Sequence, residues 1–302
     1  MYFLTHQAEL DYLKKLGFPV NPLNTSAKDI KEVWQKSEEL NQKKESLKYP
    51  VDGMVVKLND LDLVEKLGIV GKTKRAWSAI KFPAIEITTK LQDITWQIGR
   101  TGRVIPVAEL EPTLLEGTTV KRATLHNFQE FLHKDLKKED VLIIRKAGDI
   151  IPEVVQVLTN LRAKNLSGFD SPIYCPCCKT KLVKSKTEVD LYCPNAENCP
   201  DQILGRLAYF SQRNIGNIKG FSRQNIKKFM EIFKIKDIYD LYNLPFSEIF
   251  ELDGFGQKSV ENLKDSLQES REISAEKFLA GLSIEGVGVE VAKLILQKIY
   301  AK

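Results

Sequence analysis

Read from its start, the chain spaces its hydrophobic positions as helices do, then as strands do, then as helices again. Residues 5–47 read as helical. Leu10, Leu13 and Leu16 fall on one helix face, and Thr25-Ser26-Ala27-Lys28-Asp29 supplies start residues for a second helix through Val33, Trp34 and Leu40. The period changes at Tyr49-Pro50. Val51–Leu58 is rich in β-branched residues and predicts a strand, and Trp77–Phe82 predicts another, closed by Pro83. From Glu86 to Leu158 short strands alternate with glycine turns: Ile94–Ile98, Val104–Val107, Thr118–Leu125, Val141–Lys146 and Val154–Leu158. After Pro200 the pattern is helical to the end, with breaks at Gly220, Gly254–Gly256 and Gly286–Gly288.

About five strands in roughly seventy residues suggest a small barrel such as an OB-fold. Periodicity alone does not separate that from other small β folds. The whole reads as a multidomain α+β protein. Its 302 residues leave room for two or three cored domains. With 43% hydrophobic and 28% charged residues, composition excludes a disordered chain. No apolar run approaches the ~20 residues of a membrane span. Nor does the first stretch pair a basic region with an apolar core, so the expected setting is the cytoplasm, away from membranes. The net charge of +5 is compatible with a nucleic-acid partner without deciding for one.

All five cysteines, Cys175, Cys177, Cys178, Cys193 and Cys199, lie within one short segment. A disulfide framework would spread its cysteines, whereas clustering suits a metal. Cys175-x2-Cys178 has the turn spacing of a zinc half-site. The wider Cys193-x5-Cys199 completes a set of four thiolates that leaves no open position and so predicts a structural ion. Cys177 is the odd one out, expected to point away. The alternative is a group of buried or free thiols.

Ile218-Lys219-Gly220-Phe221-Ser222, Leu252-Asp253-Gly254-Phe255-Gly256 and Ile284-Glu285-Gly286-Val287-Gly288 share one pattern: apolar, any, glycine, apolar, small. The glycines are 34 and 32 residues apart, a repeat that resembles the helix-hairpin-helix motif. A glycine there lets backbone N–H groups at a helix start approach a phosphate. Gly254, Gly256, Gly286 and Gly288 are the candidate DNA contacts, and Ser222 replaces the second glycine of the first repeat. A helical bundle with glycine C-caps would give the same pattern. Lys57 and Lys81 end the two isolated strands. They read either as edge residues with their charges in water or as a pair of ammonium groups neutralising a phosphate. Strict alternation sets Lys57 on the face of Gly53 and opposite Asp52, so a role for Asp52 beside it would need a bulge.

In order, these segments resemble bacterial NAD-dependent DNA ligases over nearly the whole chain. Asp52-Gly53-Met54-Val55-Val56-Lys57 resembles nucleotidyltransferase motif IV, and Lys81-Phe82-Pro83-Ala84 resembles motif V. Gly99-Arg100-Thr101-Gly102, Arg122–Asn127 and Arg145–Pro152 resemble stretches of that family's OB-fold, and the four cysteines resemble its zinc finger. The resemblance implies an adenylation-domain part at 1–86, an OB-fold at 87–160, a zinc finger at 161–200 and a helix-hairpin-helix domain at 201–302. It implies that Lys57 and Lys81 contact the adenylate phosphate and that Asp52 helps hold Mg²⁺ (or Mn²⁺). Cys175, Cys178, Cys193 and Cys199 would hold Zn²⁺, and Arg100, Arg122, Arg145 and Lys146 would meet DNA beside a nick. Implied too are NAD as AMP donor, nicked double-stranded DNA as partner and a monomer at full length.

Departures accompany the resemblance. The family adenylates the lysine of a Lys-x-Asp-Gly tetrad, and none occurs here: Asp52-Gly53 follows Pro50-Val51, and Lys48 is too far upstream. Lys74-Arg75-Ala76-Trp77 differs from the family's Pro-Arg-Trp arrangement. The nicotinamide-binding domain, a fourth hairpin and a BRCT domain are not in the sequence. The expectation is a ligase fragment that is inactive alone, the alternative a DNA-binding protein derived from a ligase.

Overall fold

The chain divides into two units, one of Met1–Ile85 with Lys146–Ile150, the other of Glu86–Arg145 with Ile151–Lys302. This computed structural model describes every residue except Met1, Pro50, Lys72, 148–150, 186–188 and 301–302.

In the first unit, α1 (His6–Lys15) and α2 (Ile30–Lys43) start where a side chain satisfies orphan helix amides: Thr5 accepts from Ala8 N and Asp29 from Glu32 N. The second helix thus opens at Asp29, and the rest of the expected start sequence is loop. β1 (Gly53–Lys57) pairs antiparallel with β4 (Trp77–Lys81); between them lie α3 (Leu61–Leu67) and the short pair β2 (Ile69–Val70) and β3 (Thr73–Lys74). A Cβ at Gly53 would sit 2.3 Å from the Ile80 carbonyl oxygen, so only glycine lets the strands close there. The unit is thinly cored: among its described residues Val64 is the one buried hydrophobic side chain, and Val55, Ile69 and Val70 are exposed.

The second unit opens with a closed five-stranded barrel. β5 (Glu86–Ile98), β6 (Val104–Leu115), β7 (Thr118–Thr124), β8 (Val141–Ala147) and β9 (Ile151–Val157) run in the order β5-β6-β7-β9-β8. β5 serves two neighbours: Glu86–Lys90 pairs with β8, and Leu91–Ile98 pairs with β6, with a bulge between Leu91 and Asp93. Leu91, Val104, Leu110, Leu115, Leu125, Leu142 and Ile144 fill the interior. α4 (Phe128–His133), capped by Asn127, packs Phe131 edge-on against Trp96 with ring centroids 4.9 Å apart.

The cysteine segment, with β10 (Val183–Lys184) and β11 (Leu191–Tyr192), shares this core: Cys175, Leu182, Leu191, Cys193 and Cys199 are buried in it. Its anchor is the β5–β6 turn. Cys193 N donates to Gly102 O at 2.9 Å, Arg103 pairs with Asp190 at 2.9 Å, and a Cβ at Gly102 would strike the Cys193 carbonyl oxygen at 2.6 Å. Cys199 is the N-cap residue of α5 (Pro200–Phe210), with proline in the first turn. A second core begins at Ile203 and joins α5 to α6 (Arg223–Phe233), α7 (Ile238–Tyr242), α8 (Phe246–Phe250), α9 (Gln257–Glu269), α10 (Ala275–Gly281) and α11 (Val289–Tyr300).

Candidate functional site

Four cysteines converge. The Sγ atoms of Cys175, Cys178, Cys193 and Cys199 all lie within 4.8 Å of one another. Cys178 Sγ is 3.5 Å from Cys193 Sγ and Cys175 Sγ is 4.0 Å from Cys199 Sγ. Zn–S bonds of about 2.3 Å in a tetrahedron give edges of about 3.8 Å, so the set fits zinc. The Cys178 amide donates to Cys175 Sγ at 3.5 Å, as the turn inside a Cys-x2-Cys half-site allows. Burial pushes the Cys193 thiol up to about 11 and raises Cys199 as well. Burial also opposes ionisation of Cys178, but hydrogen bonds with Thr180 and neighbouring thiols outweigh it and draw that thiol down to about 6. The two thiols that burial raises, Cys193 and Cys199, need a dication to become thiolates. Cys177 does not turn fully away: its thiol, raised by burial, interacts with Cys199 and the Asp201 backbone at the start of α5.

In the first unit, register sets Gly53 opposite Lys81, Val55 opposite Ala79 and Lys57 opposite Trp77. Lys57 and Lys81 therefore share one face of the ladder, roughly 13 Å apart along it, with small side chains between. Val55, Lys57, Trp77, Ala79 and Lys81 are all exposed. Lys57 Nζ lies 4.6 Å from the Trp77 ring centroid and Lys74 Nζ 5.5 Å from it, so the indole carries two ammonium groups. Asp52 Oδ2 lies 3.3 Å from Lys81 Nζ. Asp52 lies one residue before β1, and its carbonyl accepts from Phe82 N at 2.9 Å, which carries the pairing one step past the strand.

The residues expected at DNA differ in their engagements. Arg122 Nε is held by Glu109 at 2.9 Å, and Arg145 Nε by Glu153 at 2.7 Å, with Glu86 3.6 Å from its second arm. His126 Nε2 also reaches Glu153, at 2.9 Å. Lys146 is in β8; Gly148, Asp149 and Ile150 of the same motif lie outside the described residues. Among the described residues Arg100 pairs with no carboxylate, and its guanidinium lies 3.9 Å from the Tyr209 ring centroid. Each candidate hairpin glycine precedes a helix. Gly254 (φ +88) and Gly286 (φ +76) take left-handed backbone that favours glycine, and a Cβ at Gly254, Gly256, Gly286 or Gly288 would meet only open space. Gly220 (φ +82) differs, because a Cβ there would meet Leu263 Cδ2 at 2.6 Å.

Sequence models of three NAD-dependent DNA ligase domains match in order: the adenylation domain at residues 1–85, the OB-fold domain at 88–166 and the C4 zinc finger domain at 174–200. The chain is 41% identical over 290 residues to proteins named "DNA ligase" from Bacillus cereus strains AH187 and Q1, a match covering 96% of this chain and 43% of each relative. The chain belongs to the NAD-dependent DNA ligase family. It spans less than half the length of these relatives.

Within this ligase-family chain, Lys57, Lys81 and Asp52 fall in the adenylation segment, Arg100, Arg122, Arg145 and Lys146 in the OB-fold segment, and the four converging thiols in the finger. Sequence reasoning missed Tyr209, whose contact with Arg100 joins residues too distant in sequence for any local pattern to link. It also missed the two cations around Trp77, although β-pairing of the two expected strands would have aligned Lys57 with that indole. Among the described residues no helix is long and apolar enough to cross a membrane.

Proposed function

We propose that this chain forms the duplex-holding and phosphate-contacting part of an NAD-dependent DNA ligase that seals nicks in duplex DNA. Carrying this reading is the common face of Lys57 and Lys81, exposed within the segment that matches the adenylation domain. Two ammonium groups on one face suit an adenylate phosphate, whose charge grows during phosphoryl transfer. Asp52 beside Lys81 is a carboxylate for Mg²⁺ or Mn²⁺, which would screen phosphate charge.

The proposed reaction has three displacements. A lysine amine attacks the α-phosphorus of NAD and nicotinamide mononucleotide leaves. The 5′-phosphate of the nick then takes the AMP and frees the lysine. Finally the 3′-hydroxyl attacks that 5′-phosphorus and AMP leaves. Lys57 and Lys81 stabilise charge in these steps. The attacking amine belongs to a Lys-x-Asp-Gly tetrad that is absent from these 302 residues, so on this reading the chain does not adenylate itself. Arg100, Arg122, Arg145, Lys146 and the second and third hairpins hold the duplex through its phosphates.

Fusing the chain to the tetrad-bearing adenylation half of a Bacillus cereus DNA ligase tests this. The fusion should seal a nicked duplex with NAD and not with ATP. A fusion that binds nicked DNA but never seals it would favour a purely DNA-binding role, the reading that the absent tetrad supports.

A further inference from the structure

We propose that a cavity of about 440 Å³ between the β5–β6 turn, α5 and the start of α6 binds one phosphate of a nucleic-acid backbone, with Arg100 and Arg223 as its cations and Tyr209 as the positioning residue for Arg100. The inference rests on the DNA-binding reading above and assigns the first hairpin a means of contact different from the other two.

The charges in the cavity have one sign. Arg100 and Arg223 line it, and no carboxylate does. Among the described residues neither arginine makes an ion pair, as is also true of Arg75, Arg206, Arg213 and Arg271, whereas Arg103, Arg122, Arg145 and Arg162 each hold an aspartate or glutamate. What sets Arg100 and Arg223 apart is that both line one concavity with no carboxylate in its wall, which suits an anion.

Local packing fixes the first arginine. A Cβ at Gly205 would lie 2.9 Å from the Arg100 Cα, so glycine there lets the turn settle directly on α5. Gly102, closed against Cys193, holds the turn's other side. The Arg100 guanidinium then lies 3.9 Å from the Tyr209 ring centroid, so one face of it is taken by the ring while its edge N–H groups remain able to donate to oxygens.

The first hairpin cannot use its glycine as the others do. The position a Cβ would take at Gly220 is filled by Leu263, while the glycines of the other hairpins face open space. Ser222 spends its hydroxyl capping α6, accepting from Asn225 N at 3.2 Å. Arg223 is the next residue and is exposed. The first hairpin therefore meets a phosphate through a side chain, not through bare backbone.

The test uses the full chain with a labelled nicked duplex, read by fluorescence anisotropy across a salt series. Arg223→Ala should weaken binding and lower the slope of log affinity against log salt by about one, the loss of a single phosphate contact. Tyr209→Leu removes no charge yet should weaken binding and lower the slope likewise, and Tyr209→Phe should restore both. Inorganic phosphate at matched ionic strength should not displace the duplex. If Arg223→Ala and Tyr209→Leu bind as the parent does while Gly256→Val weakens binding, the cavity proposal is wrong and the DNA-binding reading stands. If the parent binds no duplex, both are wrong. Should inorganic phosphate bind in an Arg223-dependent way with duplex affinity unchanged, the site serves a free anion and the proposal is overturned.

Discussion

The Tyr192 hydroxyl donates a hydrogen bond to Glu285, 3.1 Å away and 93 residues along the chain. One residue belongs to the cysteine segment; the other immediately precedes the glycine of the third hairpin. The contact ties the orientation of that hairpin to the finger. It also gives a carboxylate, unwelcome beside a phosphate, a partner of its own.

Tyr192→Phe should therefore cost about 1 kcal/mol, the usual net worth of such a bond. Burial, and after it Glu285, raise the tyrosine pKa above its ordinary value of 10.0. A raised folded value means the contribution is whole below the unfolded value and disappears as pH rises through the folded one. Denaturant unfolding at neutral pH should separate parent from variant, and the gap should close in strongly alkaline solution. An equal gap at both would contradict this assignment.

The four-thiolate assignment makes metal content a direct readout. Purified chain should carry one zinc, Cys178→Ala and Cys193→Ala should lose it, and Cys177→Ser should keep it. Because Cys199 caps α5 and Tyr192 holds the third hairpin, the two metal-free variants should also bind nicked duplex less well. Unchanged zinc content in Cys178→Ala and Cys193→Ala would count against the set.

The hairpin glycines divide into two behaviours. Gly256, at φ −82 with open space around it, accepts a β-branched residue without backbone strain, so Gly256→Val should leave the melting temperature nearly unchanged while weakening duplex binding. Gly220→Val should do the reverse in emphasis, lowering stability by 1 kcal/mol or more (roughly), since it combines a left-handed backbone with a collision at Leu263. Thermal melts beside salt-dependent binding separate the two. A Gly256→Val variant that binds duplex normally would remove the backbone-approach argument.

Legibility of the fold in the sequence followed the reach of each signal. β1 was readable from its β-branched content, and β4 from the run Trp77–Phe82 that Pro83 closes. The barrel strands were readable in number but not in length. β5 pairs with different neighbours in its two halves and bulges between them, while β6 carries Pro106 and Pro112 and shifts register against β7, so neither keeps one alternation throughout. α4 went unread although Asn127 supplies a capping signal, because its six residues are too few to establish a helical period. The cysteine set was legible from spacing, since the turn within Cys175–Cys178 is local. The approach of Asp52 to Lys81 went unread because it crosses between segments 29 residues apart in sequence. Arg100 on Tyr209 and Tyr192 on Glu285 are products of packing between elements, which no local pattern encodes.

On the proposed function, Lys57 and Lys81 stabilise phosphate charge in an NAD-dependent adenylation whose nucleophile lies outside these residues. Adenine-labelled NAD, supplied with Mg²⁺, measures this most directly. Expected are no covalent label on the 302-residue chain alone and label on its fusion with the adenylation half of a Bacillus cereus ligase. That label should pass to DNA when nicked duplex is added and be greatly reduced by Lys57→Ala with Lys81→Ala. Covalent label retained by the chain alone, or a fusion indifferent to both lysines, would contradict the account.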